Sequence, residues 1–410
     1  MNQYSPWRSI LSSSTFYNSV FFAFSSLAVA LANLLLARYL PILEYALATL
    51  AITLLNLGAL VAPAGIDGVV NRKSVVSGPW LLTRTLGTSA TVGLGMVILA
   101  ALIYDLSAAM VLWLLTGTIA GGATTVAAAK FQNAQRFMWS LSIAHICNAF
   151  LLLASLAVAF LRHQSPQLPV GLMVVGYGLA ASLGWWRLLK QRAFADNSVL
   201  CFSWREGLPY AGINASALLL LQLERLLIPK LLPLEDLAVF GILAAMVIGP
   251  FRVLQLGIGY TLFPKLCTTM LASERRRLVT QELMSALLLI LLVSVAILYF
   301  APLVVHGFLS EQYELSSGLV MAGIVTGVLK VLGGIGKATA TAVGGERELM
   351  YLNLLMWISV LVGAAGAIFG AAWGLTGVIY GVGLGWLGRI YVCSYIARPL
   401  LEEQPASSRS

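Results

Sequence analysis

Four basic residues and one carboxylate fall where the surrounding sequence is almost wholly apolar: Arg225, Arg252, Lys330 and Arg389, with Glu224. A charge at the centre of a membrane helix costs about 2.5–3.5 kcal/mol on insertion scales, so each must face a wet cavity, a partner or a ligand. All five lie in the second half of the chain. Together they carry an excess of positive charge, which suits an anion such as a phosphate or pyrophosphate head group. Arg225 follows Gln222 by three residues and Asn214 by eleven, which places them on one helix face. Arg252 follows Gly249-Pro250, where the missing backbone donor predicts a kink and a carbonyl left for water or ligand. Lys330 precedes Gly333, Gly334 and Gly336, and Arg389 follows Gly381, Gly383, Gly385 and Gly388; both are faces another helix or a substrate can approach closely.

The competing readings are structural. Arg225 and Arg389 are near enough to span ends to snorkel towards an interface, and Glu224 can simply pair with one of the cations. Arg252 and Lys330 are too central for snorkelling. Asp67, in Gly-Ile-Asp-Gly, reads as a helix-terminal residue, with a coupling-ion role as the minority view. His145 within a span reads as a hydrogen-bonded structural histidine rather than a proton relay. Cys147, Cys201, Cys267 and Cys393 have no metal-ligand spacing and read as small apolar fillers.

The elements that carry these residues follow from composition. The chain of 410 residues is 59% hydrophobic and 10% charged, with a mean hydropathy of +0.89. Soluble domains hold about 25% charged residues, so this is a polytopic membrane protein. Apolar windows of about 20 residues place spans near 14–36, 45–64, 81–104, 107–129, 137–160, 169–189, 208–231, 238–262, 281–301, 317–342, 351–369 and 373–397. The N-terminal stretch resembles a signal peptide, but its apolar run continues to Leu36 and has a counterpart later in the chain, so cleavage is not expected.

That counterpart defines an internal repeat. Residues 34–52 form a hairpin tip in which Leu40-Pro41 closes one apolar run and Tyr45-Ala46 opens the next. Residues 228–246 do the same with Leu232-Pro233 and Ala238, Pro233 lying 192 positions after Pro41. The expectation is an all-α integral membrane protein of about twelve transmembrane helices, in two parallel six-helix bundles around a central cavity, with domains at 1–195 and 196–410. Lys and Arg in the connections and span ends, among them Arg8, Arg72, Lys73, Arg84, Lys130, Arg187, Lys190, Arg275, Arg276, Arg277 and Lys337, gather on one side, whereas Arg38, Arg162 and Lys230 fall on the other. Both termini are therefore expected in the cytoplasm, and the formal charge of +9 reflects this asymmetry rather than a nucleic-acid partner. Trp80, Trp139, Trp204 and Trp373 read as interface anchors.

There is no P-loop, no metal-ligand spacing and no outward loop rich in acid–base residues, so an enzyme is not expected. The hairpin tip Leu35-Leu36-Ala37-Arg38-Tyr39-Leu40-Pro41 with Glu44-Tyr45-Ala46, the segment Gly207-Leu208-Pro209, the pair Glu224-Arg225 with Val239-Phe240-Gly241, and Phe308-Leu309 with Glu311-Gln312-Tyr313 resemble the polysaccharide-transporter (O-antigen flippase) family of the MOP superfamily, distantly similar to MATE exporters. The resemblance covers essentially the whole chain; Ala46 and Glu224 depart from the family's usual glycine and aspartate. It implies a flippase for a polyprenyl-pyrophosphate-linked oligosaccharide in the bacterial inner membrane, serving O-antigen or lipopolysaccharide synthesis alongside polymerase or ligase machinery. In that reading Arg252 and Lys330 hold the anionic group, Arg225 and Arg389 line the exits, and Pro250, Gly333 and Gly334 serve gating. Membrane lipids surround it, no cofactor is expected, and the coupling ion, Na⁺ or H⁺, stays open. The alternatives are a MATE-like exporter of small molecules and an intramembrane polyprenyl-glycan ligase or polymerase.

Overall fold

The computed structural model describes residues 14–72, 75, 78–162, 164–190, 204–269, 271–309, 313 and 315–402. The expected domain boundary at 195–196 lies outside them, as do Cys201, Arg8, Lys73, Arg192, Glu311 and Gln312. The described chain is helical: α1 (Ser14–Tyr39), α2 (Ile42–Val61), α3 (Ile66–Arg72), α4 (Pro79–Tyr104), α5 (Ala108–Asn133), α6 (Phe137–Leu161), α7 (Gln167–Lys190), α8 (Trp204–Leu231), α9 (Leu234–Leu243), a π turn at Ala244–Ile248, α10 (Gly249–Thr268), α11 (Ala272–Phe308), α12 (Ser317–Val343), α13 (Glu346–Gly370), a 3₁₀ turn at Ala371–Trp373 and α14 (Gly374–Leu401). Ten stretches are long and apolar enough to cross a membrane; one of them, Arg347–Pro399, contains both α13 and α14, and Phe24–Tyr39 adds a shorter apolar helix. Each of the twelve expected spans falls on these helices. The largest boundary difference is at 281–301, because α11 starts at Ala272 and carries Arg275, Arg276 and Arg277 in its opening turns.

Why the helices stop where they do is clearest at the two proline tips. Leu40 N–H donates to the Leu36 carbonyl at 2.9 Å, and Leu232 N–H to the Ile228 carbonyl at 2.9 Å. Pro41 then takes φ −55°, ψ 149° and Pro233 takes φ −53°, ψ 149°, so the ring that cannot continue one helix begins the next in the same extended conformation. The repeat is thus a repeat of backbone geometry as well as of sequence. Tight turns elsewhere use other devices. Asp105 closes α4 at a left-handed φ of 50°, and the Ser107 hydroxyl accepts from Met110 N–H at 3.4 Å to cap α5.

The chain divides into two compact units, Met1–Leu218 and Leu219–Ser410, and the division passes through α8. In the first, α3 is docked by Ile66, Val69 and Val70 onto a core that includes Val126, Phe131 and Trp185. Interhelical hydrogen bonds add direction where apolar contact alone has none: Trp185 Nε1 donates to the Ala123 carbonyl at 2.9 Å, Thr124 to the Tyr177 carbonyl at 3.1 Å, and Tyr177 to Asn56 Oδ1 at 3.0 Å. His145 Nδ1 lies 3.0 Å from the Ser25 hydroxyl and 3.2 Å from Asn148 Nδ2, a hydrogen-bonded histidine as its sequence context suggests.

In the second unit, α13 and α14 run back along each other with almost no space between backbones. A Cβ at Gly381 would lie 2.2 Å from the Gly366 carbonyl oxygen, and one at Gly377 2.0 Å from that of Gly370. Gly366 and Gly381 are therefore required by contact, because a side chain there would push the helices apart. Gly383, by contrast, meets nothing closer than 3.7 Å. Gly381→Val is expected to destabilise the detergent-solubilised protein by about 1–3 kcal/mol, read as a lower unfolding temperature, whereas Gly383→Ala leaves it unchanged.

Candidate functional site

The charged residues of α8, α10 and α12 converge within the second unit. Lys330 Nζ donates to Glu224 Oε1 at 2.7 Å, and the two side chains are 3% and 1% exposed. Such a pair survives burial because each charge compensates the other; alone, either would be strongly unfavourable. The reading of Glu224 as a structural partner is the one the geometry matches. Gln222 is buried one turn earlier on α8, and Arg225 Nη1 donates to its Oε1 at 3.5 Å. The charges of Arg225 and Arg252 both act on Lys330, and they act on each other. Around the ion pair, then, stand two guanidinium groups, so the excess positive charge of this group rests on Arg225 and Arg252.

Arg389 belongs to another set. Its charge acts on Lys337 and Cys393 rather than on Lys330. Its guanidinium lies 5.2 Å from the Trp386 ring, and its side chain is 1% exposed. The four cations singled out from the sequence thus separate into one group of three and one residue paired with a lysine that sequence reasoning placed at the cytoplasmic span end. The signal for Lys337 was its spacing: seven residues after Lys330, it returns to the same helix face two turns on. Lys130 is a second such case. It is 4% exposed and its Nζ donates to the Val75 carbonyl, which makes it a tie between α5 and the segment after α3.

The local backbone explains how these side chains meet. The helix from Leu234 to Thr268 contains a π turn at Ala244–Ile248, immediately before Gly249-Pro250. Pro250 offers no N–H to the preceding turn, and the wider turn is one way a helix absorbs that loss. This wider turn ends one turn before Arg252. Gly333 and Gly334 admit neighbouring side chains: a Cβ at Gly333 would meet Trp386 Cε3 at 2.9 Å, and one at Gly334 would meet Gln255 Cγ at 2.7 Å. Their close approach is to α14 and α10.

Asp67 is in the first turn of α3, outside the candidate spans. Loss of water around its carboxyl raises its pKa from 3.8 to about 6, against the lowering effect of the Gly68 and Asp67 N–H groups. Among the described residues, no group of three or more His, Cys, Asp or Glu could hold a metal ion. The tryptophans expected as anchors all lie at helix ends: Trp80 in the first turn of α4, Trp139 in that of α6, Trp204 opening α8 and Trp373 between α13 and α14. Trp139 also carries Arg187, whose guanidinium is 3.8 Å from its ring.

No protein-family description and no curated protein sequence matches the chain. Solved structures do. An inward-facing multidrug resistance MATE transporter of the MOP superfamily aligns with a TM-score of 0.64 and 14% identity, covering 92% of this chain and 94% of the other. The lipid II flippase MurJ in an inward closed conformation aligns at 0.61 and 13% identity, covering 93% and 87%. A MOP superfamily transporter from Pyrococcus furiosus, described as having a binding pocket of reverse polarity, aligns at 0.60 and 13% identity, covering 94% of each. The chain therefore has the all-helical fold of MOP superfamily transporters.

Two outcomes follow from the buried charges. Removing one partner of the pair, by Lys330→Met or Glu224→Gln, is expected to cost about 3–5 kcal/mol, and the double variant to recover most of it, in thermal unfolding of purified protein. For Asp67, folding favours the neutral carboxyl, so its burden appears as pH rises from 3.8 towards 6. Asp67→Asn is expected to raise the unfolding temperature at about pH 7, with the gain shrinking as pH is lowered to about 4.

Proposed function

We propose that this chain is a flippase that moves a polyprenyl-pyrophosphate-linked oligosaccharide across the bacterial inner membrane by alternating access, for cell-surface polysaccharide synthesis such as that of O-antigen. The observation that carries the reading is the grouping of Arg225 and Arg252 around the buried Glu224–Lys330 pair, a net positive site on membrane-spanning helices. Arginine presents a planar fork of donors that fits phosphate oxygens two at a time, and in a water-poor setting these charge-assisted bonds are strong. Arg252 and Arg225 take the pyrophosphate. Lys330 joins them when it exchanges the Glu224 carboxylate for a phosphate oxygen, and Arg389 with Lys337 offers a second cationic station. The irregular turn before Pro250 and the close packing at Gly333 and Gly334 supply the places where α10 and α12 adjust.

The fold alone suits a MATE-type exporter equally; the sign of the charge separates the two. A cationic drug entering this site would meet two guanidinium groups, whereas a pyrophosphate would be attracted by them. The reaction is a translocation, with no bond made or broken. The reading also places both termini in the cytoplasm and the protein beside polysaccharide polymerase or ligase machinery. Na⁺ or H⁺ coupling then falls to Glu224 or Asp67.

The deciding experiment follows lipid-linked oligosaccharide in cells lacking the protein. Accumulation on the cytoplasmic leaflet, relieved by the wild-type gene, is the expected result. Arg252→Ala is expected to lose about tenfold or more in relief, the scale of one charge-assisted hydrogen bond, while inserting at wild-type levels; Arg252→Lys retains part. Unchanged carriers in the deletion strain, or full activity of Arg252→Ala, would overturn the proposal.

A further inference from the structure

The first unit carries a groove of about 430 Å³ that has no part in the site above. Its walls include Arg84, Gly87, Thr88 and Thr91 of α4, with Ala64 and Trp204. Among the described residues Arg84 is the one charged residue of that lining, and its guanidinium is 4.7 Å from the Trp80 ring and 5.9 Å from the Trp204 ring. Trp80 and Arg84 occupy the first two turns of a candidate span, the level at which aromatic and basic residues meet lipid head groups.

On α4 the lining residues Gly87 and Thr91 belong to a strip of small residues that runs on past the groove. Gly87, Thr91 and Gly95 succeed one another every fourth residue, and the positions a Cβ would take at Gly87 and Gly95 are open space. The distance from Arg84 to Gly95 is about 16 Å along the helix. Hydroxyl donors do not point into the strip: Thr91 donates to the Gly87 carbonyl at 3.0 Å, and Thr88 to the Arg84 and Thr85 carbonyls, each at 3.0 Å. What is left is an apolar stretch of helix surface with the exposed Leu86, Leu94 and Ile98 beside it and the Arg84 guanidinium at one end. A polar solute would find one partner there and a long surface it cannot wet. A molecule with a phosphate at one end and a hydrocarbon chain at the other matches both parts.

We propose that this groove holds an anionic phospholipid, one whose phosphate has no ammonium partner within its own head group, with that phosphate on Arg84 and one chain laid along the Gly87–Thr91–Gly95 strip. The inference stands on the first unit alone and holds whatever the transported substrate is. The lipid can come from the bulk bilayer or be a lipid-linked carrier, and a competition distinguishes these sources.

The full-length protein, its Arg84→Gln variant and its Gly87→Leu variant are purified in detergent, incubated with phosphatidylglycerol or phosphatidylcholine, and weighed by native mass spectrometry. Open space at Gly87 means that leucine there fills the notch without displacing a neighbour. The wild type is expected to retain phosphatidylglycerol about tenfold over phosphatidylcholine. Arg84→Gln removes that preference, and Gly87→Leu lowers occupancy by both lipids. Displacement by polyprenyl pyrophosphate assigns the groove to a carrier lipid, and failure to displace assigns it to bilayer phospholipid; either supports an anionic phosphate-bearing lipid. Equal retention of the two phospholipids by the wild type, unchanged retention in both variants, or displacement by inorganic pyrophosphate alone would overturn it.

Discussion

Hydrocarbon offers no hydrogen bonds, so a chain this apolar must satisfy every backbone donor and acceptor within its own helices and must answer each intramembrane charge with another group. Most of what is seen here is a consequence. The described chain is helical throughout its spans, and many polar side chains turn back on the preceding carbonyl, as Thr53 and Thr85 do, or tie one helix to another, as Thr124 and Trp185 do. Because lipid is as apolar as leucine, apolar burial alone cannot tell one helix face from another. Faces are chosen by close approach and by polar ties. In the second unit Gly366 and Gly381 let backbones touch, while Glu224 and Lys330 join α8 to α12.

The ion pair and the arginines around it obey the same rule with opposite results. Glu224 and Lys330 neutralise one another, which satisfies the requirement locally and leaves little charge to act on anything else. Arg225 and Arg252 add two further cations beside the pair, so among the described residues this group carries net positive charge. A fold needs only the first arrangement. The second adds repulsion between like charges, a burden on stability that a structural role does not require and that an anionic ligand, under the proposed function, would relieve.

Much of this was legible in the sequence because membrane constraints act on local composition. Spans announce themselves by length and apolarity, and both proline tips could be aligned at Pro41 and Pro233 because proline sets its own φ wherever it stands. Helix ends were less legible where amphipathic turns extend a span, as at Ala272, since charged residues such as Arg275 are compatible with a helix beyond the hydrocarbon. Pairing was harder still. That Lys330 would choose Glu224, 106 positions away, depends on which faces of α8 and α12 meet. Lys130 shows the limit most clearly: its position near a helix end places it with the basic residues of one side, and nothing local reveals that it donates to the Val75 carbonyl inside the protein.

Fold and charge therefore carry different kinds of information about function. Structures that align over more than nine-tenths of this chain include a multidrug transporter and a lipid II flippase, so the helical framework by itself does not name a substrate. Selection among them has to come from side chains on that framework. Here the discriminating feature is electrostatic: an excess of guanidinium over carboxylate, held on helices that contain a π turn at Ala244–Ile248 and glycines facing Trp386 and Gln255. Attraction for an anion must not be so strong that the anion stays. Under the proposed function, the Glu224 carboxylate held by Lys330 would supply the counterweight, competing with a phosphate oxygen for the ammonium and favouring release.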